Sequence, residues 1–407
     1  MHRFRKKAIL FSVTTADKVG CNIKRVWTYL LDFWHRSNLW LILTCTACSF
    51  YGILLLNSAD TTYGFETQVT AAVIGLVLAL FFSQLGYRML CRFWAFFWVP
   101  ALLLVLLTFT PLGFNASGTN DTAWLGLPFG SSRPFITFQP SEFLKIAFII
   151  TFARHLHHEQ HRLHRPITVL WLCAHAALPI ALVFLQGDDG TAFVFICIAL
   201  VMLFAAGVHW GYFAGLTAVS VPCAIVLWKT LDEQKLGRIL ALIFPEKYLT
   251  TYGWQQYRAL MSIGSGGVFG VGYKNGGQVS LFARNNDFIF TEAAEEFGLI
   301  GAVVLLGLLL CVIWLLIHTA VCAEDPLGAN LCFGVAGLIA SQTIINIGMN
   351  LRLAPVIGIT LPLFSAGGSA VVSVYLGIGL ALSVWYQNSI THKHIFKKRN
   401  TNGMSCK

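Results

Sequence analysis

Apolar residues along this chain come in long blocks, not at the three- or four-residue spacing of a soluble amphipathic helix. Runs approaching the roughly twenty residues needed to cross a hydrocarbon core fall at 39–56, 69–85, 93–109, 167–185, 192–206, 212–227, 299–320, 331–347 and 371–386. A tenth, 141–152, is shorter and follows Pro140, a residue suited to a first helical turn. The pattern predicts an all-α polytopic membrane protein of about ten transmembrane helices. Between the seventh and eighth spans lies a large outer loop, about 228–295, and the stretch from Gln255 to Gly298 is polar and glycine-rich and reads as a long non-helical insert. Residues 351–366 stay apolar but carry Pro355 and Pro362. They read as a broken or re-entrant segment. The division expected is a basic N-terminal segment over 1–37, a transmembrane domain over 38–388 and a basic tail over 389–407.

Composition removes the soluble alternatives. Of 407 residues 56% are hydrophobic and 11% charged, where a globular chain carries about a quarter charged. The net charge of +10 comes from short basic clusters beside apolar runs, which argues for membrane orientation and against a nucleic-acid partner. Arg88, Arg92, Arg154, Arg162, Arg165, Lys393, Lys397, Lys398 and Arg399 all fall on the side of the basic N-terminus. That side is expected to be cytoplasmic, both termini included, with loops 111–139, 228–295 and 351–366 facing outward. The acidic stretch 323–325 is an exception among the inner loops.

Several features read blandly. The eleven cysteines are scattered and lack metal spacing, so they read as small buried hydrophobes. His155, His157, His158, His161 and His164 read as an exposed basic loop in preference to a metal site. Asn115 and Asn120 fit a glycosylation pattern that carries little weight here. The start MHRFRKKAILFSV is too short in apolar residues for a secretion signal. Trp27, Tyr29, Phe33 and Trp34 either lie on an anionic leaflet or belong to a solvated tail.

Four polar constellations interrupt the apolar blocks, all at outward ends of spans. Trp124 precedes Gln139-Pro-Ser-Glu142-Phe-Leu-Lys145, where Glu142 and Lys145 are spaced to pair on one helical face. Asp188 lies in a glycine-flanked turn and is expected to cap the next helix. In the large loop Gly266, Gly267 and their neighbours would let amides approach a phosphate, or would make a flexible lid. The same loop holds Arg258, Lys274 and Asp287, then Glu292, Glu295 and Glu296 on one helical face. One of these glutamates is expected to pair with Lys145 or Arg352. The broken segment offers Arg352 and Ser365 to a cavity. No closed ligand set is visible, so no cofactor is evident. A divalent cation is compatible with the composition.

The runs QPSEFLK, IGSGGVFGVGYKNGGQ, DFIFTEAAEEFGLIG and NIGMNLRLAPVIGITLPLFSAGGS, in this order, resemble the SEDS family of bacterial cell-wall polymerases, which includes RodA, FtsW and SpoVE. The resemblance implies a peptidoglycan glycosyltransferase of the bacterial cytoplasmic membrane serving elongation, division or sporulation. Its substrate would be lipid II, a disaccharide-pentapeptide on undecaprenyl pyrophosphate, joined into β-1,4 glycan strands at the outer face. The family's essential acidic residue falls on Asp287, its loop tryptophan on Trp124, and the Glu and Lys of its QPSEF motif on Glu142 and Lys145. A class B penicillin-binding transpeptidase and membrane lipids would be its partners. The chain departs from the family pattern before Asp287, where Phe282-Ala283-Arg284-Asn285-Asn286 lacks the usual Pro-Glu and His-Thr. Asp287 is expected to act as base toward the acceptor hydroxyl, with Arg258, Lys145 and Arg352 facing the pyrophosphate. The rival readings are a lipid II flippase, suggested by intramembrane charges and a broken helix, and a non-catalytic scaffold for the transpeptidase.

Overall fold

The computed structural model describes residues 37–58, 62–114, 122–127, 136–228, 231–277, 279 and 281–403. The aromatic N-terminal segment and both candidate glycosylation asparagines lie outside them. Each of the ten predicted spans overlaps a helix: α1 (Leu39–Ser58), α2 (Thr62–Gln84), α4 (Trp94–Leu107), α5 (Pro140–Glu159), α6 (Pro166–Leu185), α7 (Asp189–Ala205), α8 (Trp210–Trp228), α13 (Gly298–Val321), α14 (Pro326–Asn350) and α15 (Gly368–Gly403). A short α3 (Tyr87–Arg92) joins α2 to α4. Six of these helices are long and apolar enough to cross a membrane. Helix α5 carries Glu142, Lys145, Arg154 and Glu159, a charge load that marks function within an apolar bundle.

Helices α14 and α15 form the centre, with 72% and 67% of their span windows buried against 28% for α2. Small residues set how closely they approach. A Cβ on Gly379 of α15 would lie 2.9 Å from the Ala79 backbone of α2, so the two helices touch main chain to main chain. Gly334 of α14 likewise admits Ile149 of α5 and Met202 of α7. At one end of the bundle Asp325 caps α14 through the Gly328 amide (2.8 Å) and accepts from Tyr87 (2.9 Å) and Arg88 (3.0 Å). The acidic exception noted in the sequence is thus a helix cap with its own cation.

Two expectations need correction. The stretch Gln255–Gly298 is not wholly non-helical: after α9 (Glu233–Ile243) and α10 (Pro245–Tyr248) in the outer loop before it, it holds α11 (Trp254–Gly266) and α12 (Ile289–Glu296). These helices are short and amphipathic, so a search for twenty-residue apolar runs passes over them. The histidines are not all in a loop either, because α5 continues to Glu159. His155 Nδ1 sits 3.0 Å from His175 Nδ1, and His175 Nε2 lies 3.2 Å from Thr151 Oγ1. The segment between α14 and α15 has no helix, with positive φ at Arg352 (58°), Gly358 (68°) and Leu363 (68°). Before α5, β1 (Gly113–Phe114), β2 (Trp124–Leu127) and β3 (Ile136–Phe138) make a small antiparallel sheet.

Candidate active site

Asp287 closes a tight turn. Ala283 takes a left-handed conformation (φ 56°), and its carbonyl accepts the amides of Asn286 (3.1 Å), Asp287 (3.0 Å) and Phe288 (3.3 Å) before α12 begins. The end of α14 grips this turn from below. Asn346 and Asn350 donate from Nδ2 to the Asp287 carbonyl at 2.8 and 3.0 Å. Asn350 Oδ1 accepts the amide and hydroxyl of Thr291 at 3.2 and 2.7 Å. From the broken segment, the Ser365 hydroxyl donates to the Asn286 carbonyl (2.5 Å) and accepts the Leu361 amide (2.8 Å), while the Ala366 amide reaches Asn285 (3.0 Å). Ser365 therefore clamps the turn; its hydroxyl is spent on main chain.

The backbone of Asp287 is fully engaged, but its carboxyl is not. A Cβ on exposed Gly358 would lie 3.9 Å from Asp287 Oδ2, so the half-buried carboxylate borders the surface at that glycine. Burial pushes its pKa from 3.8 up to about 6, and the Arg238 guanidinium pulls the other way. Among the described residues no donor reaches the Asp287 carboxyl, and a carboxyl raised toward neutrality is suited to take a proton.

Arg238 was not among the residues expected here. It and Lys235 stand three apart on α9 and so share a face. Arg238 donates to the Val356 carbonyl (3.3 Å) and Lys235 pairs with Asp189 at 2.6 Å. The turn before α7 packs on the broken segment, where a Cβ on Gly190 would strike the Ile357 carbonyl. Helix α9, that turn and residues 356–358 thus meet beside Asp287. The signal was present as an amphipathic i, i+3 pair of cations, hidden once the stretch was read as outer loop.

The first two constellations merge into one buried cluster. Lys145 Nζ pairs with Glu142 Oε1 at 2.7 Å, with side chains 0% and 5% exposed. Ser373 donates to the other Glu142 oxygen at 2.9 Å. Asp188 caps α7 through Thr191 N (2.9 Å) and accepts from Gln139 Nε2 (2.5 Å). Burial raises the Asp188 pKa, and Lys145 opposes the shift. Trp124 opens β2 opposite Phe114, in the sheet that feeds through Gln139 into α5. The Gln139 amide reaches Ser369 Oγ (3.3 Å) in the first turn of α15, four residues after the Ser365 that clamps the Asp287 turn.

Other expected residues have different work. Arg352 donates to the Ala241 carbonyl at the end of α9 (3.4 Å). Arg258 lies over the Trp254 ring, 4.3 Å from its centre. Lys274 is exposed beside Tyr273, its backbone amide bound by Ser58 and Glu296. The glycines serve close packing. A Cβ on Gly266 or Gly270 would run into the carbonyls of Ala294 and Glu296, and the amides of Val271 and Gly272 bond Glu295 (3.0 Å) and Glu296 (3.1 Å). They close the carboxyl end of α12, and Gly267, at φ 54°, makes the turn that brings them there. The predicted glutamate partner also changes. Glu292 and Glu295 pair with Arg284, and Glu296 takes a hydrogen bond from Ser58. Lys145 is consumed by Glu142 one turn away on its own helix. Among the described residues no group of three or more His, Cys, Asp and Glu is placed to hold a metal ion.

Comparison with known proteins follows the same lines. The family model of the FtsW/RodA/SpoVE cell cycle proteins matches residues 33–390. The chain is 30% identical over 371 residues to a probable peptidoglycan glycosyltransferase FtsW of Geobacter metallireducens, covering 86% of this chain and 94% of that protein. It is 31% identical over 360 residues to the protein of the same description in Trichlorobacter lovleyi, covering 84% and 92%. Among solved structures, it resembles a chain of a peptidoglycan synthase complex that coordinates polymerization and crosslinking, with TM-score 0.72 and 28% identity over 86% of this chain and 98% of that one. The rod shape determining protein RodA of Thermus thermophilus matches with TM-score 0.62 and 28% identity over 86% and 96%.

Proposed function

The chain belongs to the FtsW/RodA/SpoVE family of cell cycle proteins, and from that premise we propose that it is a peptidoglycan glycosyltransferase whose base is Asp287. The observation that carries this reading is the Asp287 carboxyl itself. It is half-buried, lies beside exposed Gly358, has its pKa raised to about 6 by desolvation and feels the opposing charge of Arg238. In the proposed step the ionised carboxyl takes the proton from the 4-hydroxyl of the acceptor sugar of lipid II. That oxygen forms a bond to the anomeric carbon of the donor as the bond to undecaprenyl pyrophosphate breaks. The leaving pyrophosphate carries the electron pair away, with inversion at the carbon. Arg238 and Lys235 supply the nearest positive face for that developing charge. The Glu142–Lys145–Asp188 cluster is a second site of charge, and Trp124 stands in the small sheet whose last strand leads through Gln139 into α5. The face that carries Asp287 is taken as the outer one, from the basic residues at the opposite end. A crosslinking transpeptidase of the penicillin-binding class is its expected partner, by analogy with the synthase complex it resembles.

Polymerisation of labelled lipid II by the purified chain, with and without such a transpeptidase, tests the reading. Glycan strands from wild type and none from a folded Asp287→Asn variant are expected. Normal polymer from that variant, or transport of lipid II across a bilayer with no polymer from wild type, would contradict it.

A further inference from the structure

The turn that carries Asp287 is held from above by an ion cluster that the mechanism leaves unused. Arg284 lies three residues before Asp287, and its side chain is 11% exposed. Its fork reaches over the turn to α12, with Nε on Glu292 and Nη2 on Glu295, whose side chains are 2% and 0% exposed. Nη1 donates backward to the Val279 carbonyl at 3.1 Å. Glu295 accepts in addition from Ser262 of α11 at 2.6 Å. Gly276 is packed into the same cluster, where a Cβ would lie 3.3 Å from both Arg284 Nη2 and Glu292 Oε1. One guanidinium therefore ties together the loop before the turn, the turn and the helix after it. Asp287 stands inside that loop of contacts, while Asn346 and Asn350 hold its carbonyl from the other side.

We propose that Arg284 is the positioning residue for Asp287: its fork, through Glu292 and Glu295, fixes the 283–288 turn so that the carboxylate meets the acceptor hydroxyl. The inference rests on Asp287 being the base. It is motivated by geometry that stability alone does not need. Holding α12 to α11 would require Glu295 and Ser262 alone, whereas the fork spends two further bonds on the two sides of the turn. The left-handed Ala283 beside it is a conformation that local preference would release. A displacement of the base by about 1 Å is enough to cost on the order of a hundredfold in rate.

Two variants separate positioning from folding. Arg284→Lys keeps the charge but loses the two-pronged geometry. The triple replacement Arg284→Met, Glu292→Leu, Glu295→Leu removes the ions together and leaves no buried charge unpaired. Each is purified in full length, its thermal midpoint is measured, and its lipid II polymerisation is followed against substrate concentration and pH. The expected result is a folded triple variant with kcat lowered about 10- to 100-fold, half-saturating lipid II within about twofold of wild type, and an acid limb moved away from its wild-type position. Arg284→Lys should show a smaller drop of the same kind. A folded triple variant with wild-type kcat and pH profile would overturn the proposal, and so would loss of folding in both variants, which would make Arg284 a stability element. A wild type that makes no polymer would overturn the reading of Asp287 and this inference together.

Discussion

The turn at Asp287 and the cluster at Lys145 both carry carboxylates and border the same broken segment, yet they treat those carboxylates oppositely. In the cluster every carboxylate is paired. Glu142 has Lys145 and Ser373, and Asp188 has the Thr191 amide and Gln139. At the turn the hydrogen bonds go to main chain, from Asn346, Asn350 and Ser365, and among the described residues no donor reaches the half-buried Asp287 carboxyl. A saturated carboxylate is a weak base, and one left unsaturated and dry is a stronger one. The fold thus aims its donors at the carboxylates of the cluster and at the main chain of the turn.

Substitutions break this contrast to different degrees. Asp287→Asn removes the proton acceptor and should lower polymerisation by about 10²- to 10⁴-fold, measured as glycan product from lipid II. The same change should raise the thermal midpoint near pH 7.5. A carboxyl whose folded pKa is about 6 against 3.8 unfolded contributes stability below pH 4 that is lost as pH rises through 6, so the amide escapes that penalty. A lower midpoint at neutral pH would count against the burial argument. Lys145→Met strands Glu142 in the bundle and should cost about 3–5 kcal/mol, with most of it recovered on adding Glu142→Leu. Unfolding in detergent reads both. Asn350→Ala removes one of the two side-chain donors on the Asp287 carbonyl and strands the Thr291 donors, at a cost of about 1–3 kcal/mol, and kcat should fall while half-saturation holds. The smallest effect belongs to Ala283→Gly. Relief of the left-handed alanine, about 1–2 kcal/mol, outweighs the entropy of glycine, about 0.5–1 kcal/mol, so the midpoint should rise slightly.

What the sequence made legible was local or long. Apolar runs of span length announced the helices, and Glu142 and Lys145 could be paired because three residues on a helix place them on one face. Asp188 could be named as a cap from its flanking glycines. What stayed hidden depended on contacts between separate stretches. Arg284 finds Glu292 and Glu295 only after the turn reverses the chain, so Lys145 and Arg352 looked equally available. Gly266 and Gly270 are small because carbonyls of α12 pass over them, a demand that leaves the same mark as a phosphate cradle. Arg238 and Lys235 were invisible while their helix was taken for outer loop.

The pH dependence of lipid II polymerisation tests the central claim most directly. If Asp287 is the base, with its carboxyl raised by burial to about 6, the rate at low substrate should be flat above neutrality and fall tenfold per pH unit well below 6. A rate unchanged between pH 5 and 8, or an acid limb at the ordinary carboxylate value near 4, would contradict it.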